Sequence, residues 1–332
     1  MTNVPVIVTG GAGFIGSHTC KRLAEAGYLP VTIDNLRTGH ADAVKWGPLE
    51  QLDLRDRQGV ANVLRRYGAR TVIHFAACAY VGESVVNPDL YYDNNVGGMI
   101  SLLSAMNSVG VRQLVFSSSC ATYGNPKDIP ISETTEQAPI NPYGRTKLIG
   151  EMMVLDHAKA FGLRSVMLRY FNAAGADPKG DLQERHDPET HLIPLALMAA
   201  AGTKPPLKVF GADYPTPDGT CIRDYIHVSD LANAHLLALR HLENQGADLV
   251  LNLGTGRGLS IYEIIKAISK ITGKEVPYKI APRRAGDPAE LVAKTDLAER
   301  LLHFRPLRSD IDSILWDAAP HFGLEVRHGV DA

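Results

Sequence analysis

Over its first 170 residues the chain alternates short β-branched runs with amphipathic helical patterns, and this alternation leaves few folds open. The run over 4–9 ends directly in glycines, as a strand buried on both faces does. A helical pattern follows, with Ile15, Thr19, Leu23 and Ala26 sharing a face and Gly27 placed to stop it. Further strands are expected over 30–34, 71–75, 113–117 and 164–170, and helices over 56–67, 89–106 and 143–161. The helices carry aligned apolar sets: Val60, Val63 and Leu64; Val96, Met99, Ile100, Leu103 and Met106; Leu148, Met152 and Leu155. Repeated β-α-β units with right-handed crossovers predict an α/β fold, a Rossmann-type doubly wound parallel sheet with helices on both faces.

After residue 171 the texture changes. Residues 173–188 are rich in Gly, Asp and Pro, and 204–219 contain Pro205, Pro206, Pro215 and Pro217. These read as loops of a smaller α+β domain. A strand at 224–228, a helix at 230–241 capped by Ser229, and a strand at 249–253 read as a return to the main sheet. The expected division is therefore discontinuous: 1–172 with about 220–255, and about 173–219 with 256–332. A length of 332 residues suits two such units at about 150 residues each. With 34 basic and 36 acidic residues, the net charge of −2 argues against a nucleic-acid partner. Cys20, Cys78, Cys120 and Cys221 include no C-x-x-C pair, so buried thiols in a reducing compartment are expected, not a zinc knuckle or disulfide framework. Residues 1–5 lack a basic leader, and no apolar run approaches the roughly 18 residues of a membrane span. The expectation is a cytoplasmic protein with neither membrane partner nor metal.

The stretch Thr9-Gly10-Gly11-Ala12-Gly13-Phe14-Ile15-Gly16 joins the first strand to the first helix. Its glycines permit a tight turn, close approach of a pyrophosphate, and helix–strand packing. The helix N-terminus beyond offers N–H groups and a partial positive charge. Asp34 ends the second strand, eighteen positions beyond Gly16. A carboxylate there accepts ribose hydroxyls and repels a 2′-phosphate, which favours NAD over NADP. Asp53, after the third strand, is placed either to cap that strand or to meet the adenine amino group.

Tyr143 and Lys147 stand at i and i+4 on one helix, so the phenol and the ammonium share a face. A phenol's ordinary pKa of about 10 is too high for a base at neutral pH. A cation about 4 Å away contributes roughly 4 kcal/mol at an effective dielectric of 20. At about 1.4 kcal/mol per pKa unit, that is expected to lower the phenol by about 2 to 3. The strand over 113–117 runs into Ser117-Ser118-Ser119, and strand C-termini in such sheets face the ligand crevice. Spacing alone does not choose among the three serines.

These residues resemble the UDP-galactose 4-epimerases of the extended short-chain dehydrogenase/reductase family. The resemblance runs from residue 6 to beyond 287. Besides the glycine turn it rests on Asp34-Asn35-Leu36, Val81-Gly82-Glu83-Ser84, Tyr91-Tyr92-Asp93-Asn94-Asn95, Ser117-Ser118-Ser119, Tyr143 to Lys147 and Leu168-Arg169-Tyr170-Phe171-Asn172. Further on it rests on Asp218-Gly219-Thr220, Arg223-Asp224-Tyr225-Ile226-His227-Val228 and Pro282-Arg283-Arg284-Ala285-Gly286-Asp287. The resemblance implies NAD-dependent 4-epimerisation of a UDP-sugar, UDP-glucose or UDP-galactose, through a 4-keto intermediate. It implies Ser119 on the sugar O4, Tyr143 as base and Lys147 as its tuning cation. It implies NAD contacts from Gly10, Gly13, Phe14, Ile15, Gly16, Asp34, Asn35, Asp53, Leu54, Phe75, Ala76, Ala77, Asn94, Tyr143, Lys147 and Tyr170. Substrate contacts are implied for Ser119, Tyr143, Asn172, Phe210, Arg223, Arg284, Asp287 and Leu291. A homodimer through the helices over 89–106 and 143–161 is implied as well.

The chain departs from the pattern in places. Ala79 stands where some epimerases carry a lysine near the cofactor phosphates, and His191 replaces an asparagine and is given no catalytic role. Leu291 stands where a tyrosine narrows the pocket of strict hexose epimerases, so an N-acetylated hexose is an alternative substrate. The segments 120–124 and 139–143 also resemble UDP-xylose/UDP-arabinose 4-epimerases. The two sugar classes differ by one CH₂OH, worth only about 1 to 3 kcal/mol of discrimination. Cys120 and Ala121 occupy the positions where a 4,6-dehydratase needs an Asp–Glu pair, and no anchor for a C6 carboxylate is recognisable. A non-catalytic NAD sensor on this fold is disfavoured because Ser119, Tyr143 and Lys147 are all present.

Overall fold

The structure is a computed structural model that describes residues 4–284 and 287–327. Ala285 and Gly286 of the 282–287 motif lie outside the described residues, as do residues 1–3 of the N-terminal reading and 328–332 of the second expected domain. The first half builds β1 (Val4–Thr9), α1 (Phe14–Glu25), β2 (Tyr28–Asp34), β3 (Leu49–Gln51), α2 (Arg57–Tyr67) and β4 (Thr71–His74). Then come α3 (Val81–Val86), α4 (Pro88–Tyr91), a π-helical turn (Tyr92–Gly97), α5 (Gly98–Val109), β5 (Gln113–Ser119), α6 (Pro142–Phe161) and β6 (Arg164–Tyr170). The second half contains β7 (Asn172–Ala174), α7 (Leu192–Ala200), β8 (Leu207–Phe210), β9 (Ile222–His227), α8 (Val228–Glu243) and β10 (Leu249–Leu253). It ends with β11 (Gly258–Ser260), α9 (Ile261–Thr272), β12 (Tyr278–Ala281), β13 (Glu290–Leu291), α10 (Asp296–Leu302) and α11 (Ile311–Ala318).

Seven parallel strands form the main sheet in the order β10-β6-β5-β4-β1-β2-β3. Period two sorts their side chains. Ile7, Val72, Leu114 and Met167 face a core shared with α2 and α5, while Val8, Ile73, Val115 and Leu168 face a core shared with α1 and α8. The chain builds outward from β1 to β3, then crosses back to place β4 on the other side of β1. Ligands in open α/β sheets bind at this kind of reversal, outside the strand C-termini. The glycine turn and residues 75–77 occupy it.

Strand β9 departs from the expectation. It does not join the main sheet but lies in a four-stranded one, with β7, β11 and β13 beside it. The reason is Asp224. Its buried carboxylate accepts the Thr255 N–H and hydroxyl at 2.8 and 2.7 Å and the Gly256 and Ala293 N–H groups at 3.0 and 3.1 Å. Such a polar hub needs loop backbone around it, which a strand sandwiched between apolar helix layers lacks. Only α8 and β10 return to the main sheet. Helix α8 also starts at Val228, because His227 caps it by accepting the Ser229 N–H at 3.0 Å. A third core, under α7, α9 and α11, holds Leu197, Ile264, Ile268, Ile314 and Leu315.

Two apolar helix stripes also depart from the pattern. The helix expected over 89–106 is broken by the π turn at Tyr92–Gly97. Within α5, Ile100 points outward and is 56% exposed, and in α6 Met152 and Leu155 are exposed too. These positions have helical spacing, but among the described residues no layer covers them.

Candidate active site

The glycine turn is shaped by contacts that side chains would obstruct. Gly10 has φ +73°, and a Cβ there would lie 2.6 Å from the Ala76 nitrogen. A Cβ on Gly16 would lie 2.1 Å from the Gly10 carbonyl oxygen. Gly13 is the N-cap of α1, without a side-chain cap bond, and no acidic residue stands in the first turn. The N–H groups of Phe14, Ile15 and Gly16 therefore face outward with no intrahelical acceptor, a cradle that fits a pyrophosphate. The Phe75 and Ala76 N–H groups both donate to the Thr9 carbonyl, at 2.9 and 3.1 Å, which holds 75–77 against this turn.

Asp34 closes the far side. Its oxygens accept the Ala12 N–H at 3.1 Å and the Leu36 N–H at 2.8 Å. Burial raises its carboxyl above the ordinary value, and the two N–H groups work against that rise. Each oxygen keeps a lone pair able to accept a ribose hydroxyl. Asn35 donates to Asp53 at 3.0 Å. Asp53 itself is forked by Arg55, whose Nε and terminal nitrogen donate to its two oxygens at 2.9 Å each. That pairing holds the Asp53 carboxyl well below the usual range. The side chain expected at adenine is thus held by an arginine that the sequence reading missed. The Leu54 side chain is buried in the core under α5, so only its backbone faces the ligand side. Asn94 donates to Asn95 at 3.0 Å. Asn95 does the structural clipping, bonding the Cys78 N–H and carbonyl at 2.8 and 3.0 Å and the Thr146 hydroxyl at 2.9 Å.

The structure separates the three serines at the end of β5. Ser117 donates to the Tyr170 phenol at 3.0 Å. Ser118 donates to Glu151 of α6 at 2.5 Å. Ser119 accepts the Ala121 N–H at 3.1 Å, and it is the serine close enough to Tyr143 to act on its phenol. Tyr143 stands in the first turn of α6, which Asn141 caps by accepting the Gly144 N–H at 2.8 Å. Gly144 allows the close approach: a Cβ there would lie 2.4 Å from the Ala121 carbonyl oxygen. Lys147 is buried, donates to the Ser117 carbonyl at 2.8 Å, and stands 5.9 Å from the centre of the Tyr143 ring.

The electrostatics correct the expectation of a lowered phenol. Burial pushes Tyr143 well above its ordinary value, Tyr170 adds to the rise, and only the Ser119 bond opposes it. Lys147 is itself lowered to about 8, by burial, with Glu151 opposing. At this distance the lysine is outweighed by desolvation.

Beneath the site lies a buried ion pair. Arg169 grips Glu151 through Nε and a terminal nitrogen at 2.9 and 2.6 Å, and also donates to the Tyr123 phenol at 2.9 Å. The Tyr123 phenol donates to Asn252 at 2.7 Å, and Asn252 donates to the Ile131 carbonyl at 2.8 Å. Glu151→Ala leaves a buried guanidinium uncompensated. Its expected cost is about 3–5 kcal/mol, measured by urea unfolding. A double change, Glu151→Leu with Arg169→Met, is expected to recover most of the loss.

The expected substrate residues gather around β9. Arg223 is largely covered, its side chain 11% exposed, and donates to Asp287 at 2.5 Å and to the Pro288 carbonyl at 2.8 Å. Arg284 stacks on Phe210, 4.0 Å from the ring centre. Asn172 donates to the Asp224 carbonyl at 2.9 Å. Leu291 pairs with Arg223 in register and packs against the cluster of Cys120, Tyr123 and Phe171, one residue from Ser119.

Comparison with known proteins agrees with this geometry. The model of the "NAD dependent epimerase/dehydratase family" matches residues 6–254. The UDP-glucose 4-epimerase of Rhizobium meliloti (strain 1021) is 53% identical over 306 residues, covering 92% of this chain and 93% of that relative. The crystal structure of UDP-glucose 4-epimerase from Brucella ovis in complex with NAD is 58% identical, with a TM-score of 0.96 over 98% of this chain and 100% of that one. A Stenotrophomonas maltophila UDP-glucose-4-epimerase, with bound NAD and formylated UDP-arabinopyranose, is 42% identical with a TM-score of 0.93, covering 97% and 98% of the two chains. The chain belongs to the NAD dependent epimerase/dehydratase family.

Proposed function

We propose that this chain interconverts UDP-glucose and UDP-galactose by NAD-dependent epimerisation at C4, and is thus an isomerase. One observation carries the reading: the buried Lys147 ammonium stands 5.9 Å from the Tyr143 ring, one helical turn behind it, with Ser119 at the C-terminal end of β5 near enough to act on the phenol's pKa. NAD, when bound, would supply reversible hydride chemistry at the sugar C4, and its positive nicotinamide would favour an ionised phenol. Tyr143 takes the O4 proton and later gives it back. Ser119 holds O4 and steadies the phenol. Lys147 orients the ribose and stabilises the phenolate, and Tyr170 lines the nicotinamide side. Arg223, Arg284 and Asp287, with Asn172 and Phe210, hold the UDP while the 4-keto sugar turns over. A guanidinium's paired donors match a diphosphate.

Asp34, Asn35 and the glycine turn hold the adenosine diphosphate half of NAD, with Asp53 and Leu54 beside the adenine. The sheet unit, 1–172 with α8 and β10, carries the cofactor, and the remainder carries the sugar nucleotide. The exposed Ile100, Met152 and Leu155 on α5 and α6 favour a homodimer through these helices, since a contiguous apolar face is normally covered. A reducing, cytoplasmic setting fits the four free cysteines, of which Cys20, Cys120 and Cys221 are buried. Among the described residues no helix is long and apolar enough to cross a membrane.

The test is turnover of UDP-galactose, UDP-arabinopyranose and UDP-N-acetylglucosamine by one purified sample without added NAD. UDP-galactose is expected to react fastest, with no cofactor requirement, because each cycle returns NAD to its starting state. Faster turnover of the pentose or the N-acetylated sugar would move the substrate assignment, with Leu291 then the first residue to enlarge. If no UDP-sugar reacts even with NAD added, the epimerase reading fails.

A further inference from the structure

Four side chains of one loop, outside the catalytic set, converge on a single point. Glu184, His186, Glu189 and His191 follow the spacing E-x-H-x-x-E-x-H, and one donor atom from each lies within 4.8 Å of the others. His186 Nδ1 stands 3.3 Å from Glu184 and 3.3 Å from Glu189. His191 Nδ1 stands 3.2 Å from Glu184 and 2.8 Å from Glu189. Both glutamate side chains are buried, at 5% and 4% exposure.

Hydrogen bonding alone accounts poorly for this arrangement. Each imidazole Nδ1 carries at most one hydrogen and meets its own Glu189 oxygen, at 3.3 and 2.8 Å, so Glu184, 3.3 and 3.2 Å from the same two nitrogens, has no hydrogen left to accept. Two carboxylates buried side by side cost several kcal/mol unless positive charge lies between them. A tetrahedral zinc ion with bonds of about 2.0–2.1 Å sets its ligand atoms about 3.3–3.4 Å apart. Glu184 Oε1 meets that spacing to both imidazole nitrogens, at 3.3 and 3.2 Å, and Glu189 Oε2 meets it to His186 at 3.3 Å, while the other Glu189 oxygen stands 2.8 Å from His191. Two imidazoles and two carboxylates also form a donor set that suits zinc better than calcium or magnesium, which favour all-oxygen sites. The Thr190 and His191 N–H groups orient the Glu189 carboxylate from outside, at 2.7 and 2.8 Å, as outer partners of metal ligands do.

We infer that Glu184, His186, Glu189 and His191 form a structural zinc site. The sequence alone points to no metal and gives His191 no catalytic role; the convergence is visible only once the loop is folded. The site ties the loop over 184–191 to the mouth of the cofactor cleft. The His186 ring stands 6.2 Å from Phe14, at the start of α1, and 6.0 Å from Tyr80, after β4. Arg185, between two ligands, clasps Asp42 through both oxygens at 2.9 and 2.8 Å. A zinc ion there fixes the start of α7, which His191 caps, against the glycine turn.

The full chain, loaded with zinc sulfate alone and passed through gel filtration, is expected to retain about one zinc per chain by atomic emission. Cobalt in its place is expected to give the intense visible absorption of a four-coordinate ion. His191→Ala and, independently, Glu184→Gln are each expected to weaken zinc retention by about tenfold or more, with circular dichroism confirming that each variant is folded. Failure of the wild-type chain to retain zinc at micromolar free metal overturns the proposal. Retention unchanged in both folded variants also overturns it, since it would place the metal on the cysteines or elsewhere. These readouts use no sugar substrate, so they stand or fall apart from the epimerase reading.

Discussion

Tyr143→Phe is expected to cut turnover by about 10²- to 10⁴-fold while the purified chain keeps its NAD. The substitution removes one oxygen and leaves the ring, which fills the same space in the first turn of α6. Ser119 then loses a partner and the sugar O4 loses its proton acceptor. Lys147 cannot replace it, because an ammonium has three donors and no lone pair with which to take a proton. The raised pKa of Tyr143 sharpens the expectation. A phenol held above its ordinary value by burial is protonated in the folded chain at neutral pH, so ionisation must be coupled to ligand and cofactor charge inside the cleft. The check is a turnover assay beside a spectroscopic measurement of NAD released on denaturation. Retained activity with retained NAD would remove Tyr143 as the base. Loss of both together would point to a packing role instead.

The positions of the strands and of the glycine turn were legible because each rests on local rules. Alternating side chains of β1, β4 and β5 must be apolar on both faces, and Gly10 and Gly16 stand where a Cβ would strike Ala76 or the Gly10 carbonyl. The spacing of Tyr143 and Lys147 was equally local. What spacing could not carry was the field. The sequence reading placed a cation about 4 Å from the phenol, and burial then outweighed the lysine. Choosing Ser119 among three serines depended on knowing that Ser117 and Ser118 are taken by Tyr170 and Glu151, which are 53 and 33 positions away. Arg55, Asn95 and Glu151 were missed for the same reason, since each acquires its role from a partner brought near only by the fold. Strand β9 was misassigned because its β-branched pattern is the same in either sheet, and the buried Asp224 carboxylate that decides between them gains its donors from loops 31 to 69 positions distant.

Lowering the pH from 6.5 to 4.5 is expected to remove several kcal/mol of folding stability, through three histidines that fold in the neutral form. Burial lowers His18 to about 4, His74 to about 3 and His235 to about 4. Geometry explains why none can charge cheaply. His18 and His235 each place Nδ1 on a backbone carbonyl, at 2.7 and 2.8 Å, and leave Nε2 buried without a partner. His74 Nδ1 meets the Thr9 hydroxyl at 2.7 Å, with the Lys147 charge nearby. In the unfolded chain each titrates near 6.5. Below that pH the unfolded state binds more protons than the folded one, so stability falls as pH falls, by at most about 1.4 kcal/mol per pH unit for each histidine. Over this window the three together are worth up to about 8 kcal/mol, against a total of about 5–15 kcal/mol for a typical domain. The loss is complete only below the folded values of about 3 to 4. Urea midpoints at half-unit intervals of pH are the measurement. His74→Asn, which keeps a polar group opposite Thr9, is expected to flatten the slope by about a third. A midpoint that does not move between pH 6.5 and 4.5 would mean that these histidines are already reached by water and protons in the folded chain.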